Sequence, residues 1–196
     1  MALNISQLSN QKLDPKKQYF LDANVWIFSL GAIFSPNKKE SVYINFVDKL
    51  LAGGHKIWTH SLVFSEVLNA LIRNSFDDYK NELLARESDS SERDKILKLS
   101  LKKNFRNTTQ YYNTLERVKS DIESYIPNLV FLDKLYDFNF EYLSKNYPSN
   151  SDFNDYIYYE MSLDHSLTII TDDGDFDFSD IEIFTENQWL LKNSRS

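Results

Sequence analysis

The sequence predicts an α/β protein, a three-layer α/β/α sandwich with helices on both faces of a central parallel sheet. Two observations predict it. Short apolar runs of four or five residues alternate with longer segments of helical period, the pattern required by parallel strands joined through crossover helices. The 196 residues are 42% hydrophobic, with 14 Phe, 12 Tyr and 3 Trp. That supplies a core for a single domain over residues 1–196.

The elements follow in order. Residues 18–21 are short, aromatic and apolar, and read as a buried strand running into a loop at Asp22-Ala23-Asn24. Residues 39–51 place Val42, Ile44, Phe46, Val47, Leu50 and Leu51 at broadly helical spacing, and Gly53-Gly54 ends that helix. Residues 56–59 form a second strand. Residues 61–76 form a helix with Leu62, Val63, Val67, Leu68, Leu71 and Ile72 on its apolar side. The chain turns polar over 77–92, with a flexible joint expected at 87–92. Helices are expected at 93–105 and 108–125, a strand at 129–132 after Pro127, and a helix at 135–146 ending before Pro148. A helix at 152–165, a strand at 167–171 and a last strand at 181–184 complete the pattern.

Composition narrows the chemistry. There is no cysteine, which excludes disulfides, thiolate zinc sites and thiol catalysis and fits a cytoplasmic setting. The first 17 residues lack the apolar stretch of an export signal. The longest apolar run, 25–34, is ten residues interrupted by Ser29 and Gly31, whereas a membrane span needs about 20. No membrane partner is expected. The formal charge of −7 argues against coating nucleic acid by bulk charge, but the charges are unevenly spread. From Asp133 to Glu186 there are 14 acids against Lys134 and Lys145, whereas Lys95, Lys98, Lys102, Lys103 and Arg106 lie in a stretch without acids.

In parallel sheets flanked by helices, ligands gather beyond the carboxyl ends of the strands. Four acids occupy such places. Asp22 ends the first strand, and Asp173 lies just beyond the strand 167–171. Glu66 is early in the helix after the second strand, and Asp155 is early in the helix before the strand 167–171. Two carboxylates about 4 Å apart repel by about 4 kcal/mol at an effective dielectric of 20. Four in one cleft would consume much of a net stability of about 5–15 kcal/mol. Either some are protonated or a divalent cation compensates them. All-oxygen ligands suit Mg²⁺ or Mn²⁺ rather than zinc.

The motifs Leu21-Asp-Ala-Asn-Val25, Ser65-Glu-Val-Leu-Asn-Ala-Leu71 and Asp155…Thr171-Asp-Asp-Gly-Asp-Phe176, with Asp173 standing 18 residues after Asp155 (173 − 155), resemble those of PIN-domain nucleases. The resemblance spans roughly residues 19–184 and is interrupted by a helical insertion at approximately 77–126. It implies a PIN-like sandwich and a Mg²⁺- or Mn²⁺-dependent site that cleaves RNA. Carried over position by position, Asp22, Glu66, Asp155 and Asp173 form the acidic cluster. Asn24 and Thr171 match polar positions that order it, and Asp175 and Asp152 are auxiliary acids. Many bacterial members are toxins restrained by an antitoxin protein, so the resemblance also implies an antitoxin partner and a homodimer. The stretch 76–125 is longer than a compact toxin usually carries.

Plainer roles stand beside these. Asp22 can be a turn or capping residue, Glu66 a first-turn helix acid, Asp152 the N-cap of its helix, and Asp172 a structural or solvent-facing acid. The bases from Lys95 to Arg106 alternate with Ile96, Leu97, Leu99, Leu101 and Phe105, as on a packed amphipathic helix, although RNA contact is the alternative. Tyr156, Tyr158 and Tyr159 either stack on bases or pack their helix. His55, His60 and His165 show no ligand-like pairing. Two other functions fit parts of the pattern. One is a non-catalytic PIN-like scaffold that binds RNA or protein. The other is a phosphatase of the haloacid-dehalogenase type, which wants an Asp where Asn24 stands. The four glycines form neither a P-loop nor a dinucleotide fingerprint.

Overall fold

The computed structural model describes residues 4–31, 36–134, 139–148, 151–176, 178 and 180–193. The start of the expected helix 135–146 (residues 135–138) and residues 32–34 of the apolar run 25–34 lie outside them. The chain is α/β with one six-stranded, all-parallel sheet. The strands are β1 (Ile5–Gln7), β2 (Gln18–Leu21), β3 (Ile57–Thr59), β4 (Leu129–Phe131), β5 (Leu167–Ile170) and β6 (Glu182–Thr185), in the order β1-β6-β5-β2-β3-β4. Helices α1 (Ala23–Leu30), α2 (Lys38–Ala52), α3 (Ser61–Arg86), α4 (Ser90–Leu97), α5 (Thr109–Tyr125), α6 (Phe140–Asn146), α7 (Phe153–His165) and α8 (Gln188–Asn193) occupy the connections and the C-terminal stretch.

Two compact units are present, one of residues 1–64 and 127–196, the other Ser65–Ile126. The first contains the sheet. Strand β2 shows why the sandwich has three layers: successive side chains point to opposite faces. Tyr19 packs against Phe46 of α2 with ring centroids 5.7 Å apart, and Phe20 packs against Tyr158 of α7 at 5.2 Å. Both faces are therefore covered, and Tyr19, Phe20 and Leu21 are all fully buried, as expected of a central parallel strand. Of the tyrosines of α7, Tyr156 and Tyr158 are buried in the core, and Tyr159 stacks on Phe178 at 4.2 Å.

In the second unit, Phe105 is fully buried among Phe76, Tyr79 and Tyr111, at centroid distances of 5.4, 5.5 and 5.7 Å. Ser75 and Thr114 bond through their hydroxyls at 2.7 Å, tying α3 to α5.

Several expected elements are corrected. The loop expected after β2 is the helix α1, for which Asp22 is the N-cap; the cap followed by Val25-Trp26-Ile27 was the signal. Helix α3 runs ten residues beyond 76, because Asp77, Asp78, Lys80, Asn81 and Glu82 are tolerated on a solvated helix face. The helix expected at 93–105 is instead α4, which stops at Leu97, followed by turns and a 3-10 segment at Phe105–Asn107. The basic residues therefore do not share one helix face: Lys98 caps α4, and Arg106 lies in the 3-10 turn. Strand β1, on the sheet edge beside β6, and the short α8 had no counterpart in the sequence reading. Among the described residues, no helix is long and apolar enough to cross a membrane.

Candidate functional site

Strand order fixes where a site can form. From β2 the chain moves through β3 to β4 at one edge, then returns to β5 and moves the opposite way to β6. The switch point is the crevice between β2 and β5, beyond their carboxyl ends. Leu21 pairs with Ile170, so the next residue on each strand is Asp22 and Thr171.

Asp22 is 4% exposed. Its Oδ1 accepts the Ala23 N–H at 2.6 Å, and its Oδ2 accepts the Thr171 hydroxyl at 2.6 Å and the Asn24 amide at 2.7 Å. The direction of the Thr171 hydroxyl is not a free choice. Its oxygen already accepts the Asp173 N–H at 2.9 Å and the second Asn24 hydrogen at 3.3 Å, so its own proton goes to Asp22. The Asn24 amide is equally constrained, because its oxygen accepts the Asp172 N–H at 3.0 Å. A buried carboxylate with several donors is the way a charge is tolerated away from water.

Asp173 opens a tight turn: its Oδ1 accepts the Asp175 N–H at 2.9 Å, while Asp175 itself is exposed. Asp172 is structural and is not solvent-facing. Its carboxylate meets the Lys39 ammonium at 2.6 Å and the Tyr43 hydroxyl at 3.0 Å, and its carbonyl accepts from Asn187 at 2.8 Å. Tyr43, fully buried, also lies 3.0 Å from the Thr171 carbonyl oxygen and accepts the Glu186 N–H at 2.7 Å. Burial pushes its phenol far above the ordinary range, so it remains a donor. Lys39, Tyr43, Asn187 and Thr185 are the residues sequence reasoning missed. One signal existed: Thr171 and Thr185 end neighbouring strands and each takes the N–H two residues on, from Asp173 and Asn187, both at 2.9 Å.

Asp155 is 8% exposed, in the first turn of α7. Ser166, a single left-handed residue at φ 52°, turns the end of α7 directly into β5, so the helix runs back along the sheet and its first turn lies at the strands' carboxyl end. Tyr158, one turn later on the same helix face, packs on Phe20, two residues before Asp22. Moving three helix residues (about 4.5 Å) and two strand residues (about 6.6 Å) in the same direction puts Asp155 and Asp22 on one sheet face at one end. Asp152 is exposed and caps α7, its carboxylate accepting the Asn154 N–H at 3.1 Å.

The remaining expected residues lie in the second unit. Glu66 is half-buried in the second turn of α3. Lys95, Lys98, Lys102, Lys103 and Arg106 are all exposed, and Lys95 pairs with Glu92 at 2.6 Å. The three histidines keep ordinary roles: His55 meets the Tyr19 ring edge-on, His165 lies on Trp58, and half-buried His60 sits 3.6 Å from Asp133.

Among the described residues, no group of three or more His, Asp or Glu side chains is placed to hold a metal ion by itself. Asp22 and Asp155 are carboxylates, the donor type that Mg²⁺ and Mn²⁺ take, commonly one or two per ion with water and substrate phosphate completing the shell. Comparison with family models, with curated proteins and with solved structures found no match.

Proposed function

We propose that the chain is a Mg²⁺- or Mn²⁺-dependent endoribonuclease. The observation that carries this reading is Asp22, buried at the switch point and held by Thr171 and Asn24, with Asp155 on the same sheet face. The resemblance of these motifs to those of PIN-domain nucleases supports it. Asp22 and Asp155 would hold the ion, with Asp173 from the adjoining turn, and Glu66 enters through the resemblance alone. Bound there, the ion would supply an activated water and offset charge on the phosphodiester. Thr171 and Asn24 hold the Asp22 carboxylate in one orientation, and the Lys39–Asp172–Tyr43 contacts hold the loop 171–173 in place. A toxin held by an antitoxin protein is one setting for such an activity.

The deciding experiment incubates several RNAs with wild-type protein and Mn²⁺, with and without EDTA, beside Asp22→Asn. Divalent-dependent cleavage, lost in the variant, is expected. Intact RNA in every wild-type reaction overturns the proposal. The absence of a three-acid group among the described residues favours the scaffold reading as the competitor. Calorimetric titration with Mn²⁺ separates the two, because a scaffold takes up no ion that Asp22→Asn abolishes.

A further inference from the structure

The amino end of the sheet, away from Asp22, carries a cavity of about 430 Å³, a volume typical of small-molecule sites. Sheet register explains its wall. Trp58 pairs with both Phe20 and Val130, so the side chains of Gln18, Lys56, Trp58 and Val130 alternate onto a single face. Helix α7 ends over this row: the ring of its last residue, His165, lies 5.4 Å from that of Trp58 at an interplanar angle of 32°. Trp58 stays partly exposed beside it.

The charge of this wall is opposite to that of the chain. The protein carries −7, yet the titratable side chains lining the cavity, among the described residues, are Lys16, Lys17, Lys56 and His55, with no acid. Lys17 is neutralised by Glu182 at 2.5 Å. Lys56 gives one hydrogen to the Pro127 carbonyl at 2.7 Å and keeps two. The Lys16 ammonium has no partner among the described residues. Two ammonium groups without a carboxylate, beside an indole and the amide of Gln18, suit an anion joined to a flat ring that carries hydrogen-bonding edges.

We infer that this cavity binds a nucleoside monophosphate, with its phosphate between Lys16 and Lys56 and its base against Trp58. None of these residues belongs to the Asp22 cluster, so the inference stands whether or not the chain cleaves RNA.

The test is calorimetric titration of the full chain with adenosine 5′-monophosphate, adenosine and inorganic phosphate. The monophosphate is expected to bind, with adenosine and phosphate each weaker by about tenfold or more. Lys16→Ala/Lys56→Ala, at two exposed positions, should weaken the monophosphate by at least about tenfold with an unchanged circular dichroism spectrum. Asp22→Asn should leave it unaltered. Absence of binding at millimolar nucleotide overturns the inference. So does binding that survives the double lysine change, binding that Asp22→Asn alone removes, or inorganic phosphate binding as tightly as the nucleotide.

Discussion

The hydroxyl of Thr171 donates to the carboxylate of Asp22 at 2.6 Å, joining residues 149 positions apart across the two central strands. Two N–H donors aimed at the same hydroxyl oxygen leave it no other direction in which to give its proton. The orientation of the Asp22 carboxylate is thus set by its neighbours.

Replacing Thr171 with Val keeps the shape and removes that donor. The fold should survive with a stability loss of about 1–3 kcal/mol. Mn²⁺ affinity and RNA cleavage should fall by about 10–100-fold, as when a group orienting a metal ligand is lost. Urea denaturation with Mn²⁺ calorimetry reads both effects. An unaltered Mn²⁺ affinity would remove Thr171 from the site.

Tyr43→Phe deletes one hydroxyl that serves Thr171, Asp172 and the Glu186 N–H at once. The buried Glu186 N–H then loses its acceptor, which should cost about 1–3 kcal/mol. A urea midpoint equal to that of wild type would contradict it.

Burial lowers the pKa of His60 from 6.5, against a weaker opposing pull from Asp133. Asp133 is raised by burial, but hydrogen bonds from Ser61 and the His60 charge outweigh this and lower it overall. The unfolded chain therefore takes up a proton at His60 first, so its contribution to stability is full above pH 6.5 and declines as pH falls toward the folded pKa. The Asp133 contribution persists through that window and is lost only as pH falls below its unfolded value of 3.8. His60→Gln should flatten the fall in urea midpoint between about pH 7.5 and 5.5. Parallel pH profiles for the two proteins would count against this.

Ser166 holds φ 52° at the junction of α7 and β5, a region costly to any residue with a Cβ. Ser166→Gly should raise stability by about 0.5–1 kcal/mol, the relief of strain offset by a more flexible unfolded chain. A lowered melting temperature would show that the serine hydroxyl matters more than its backbone.

Much of the fold was legible in the chain. Strand β2 and helix α2 were found to within a residue at either end, because a buried strand reads as an unbroken apolar run and an amphipathic helix repeats every third or fourth residue. The N-cap role of Asp152 was legible too, from an Asp placed before an apolar helical run. Strand β1 was not, since three residues on a sheet edge have too few positions to show a period.

The sequence by itself determined the alternation of strands and helices, the exclusion of thiol chemistry, and the positions of Asp22, Asp155 and Thr171 at element ends. These depend on local pattern and composition. Only the tertiary structure decided that β5 lies beside β2, that Thr171 and Asn24 share Asp22 between them, and that Asp172 faces Lys39 and Tyr43 instead of solvent. Strand order and the direction of a hydroxyl proton depend on partners more than a hundred residues away, and no local stretch of sequence contains them.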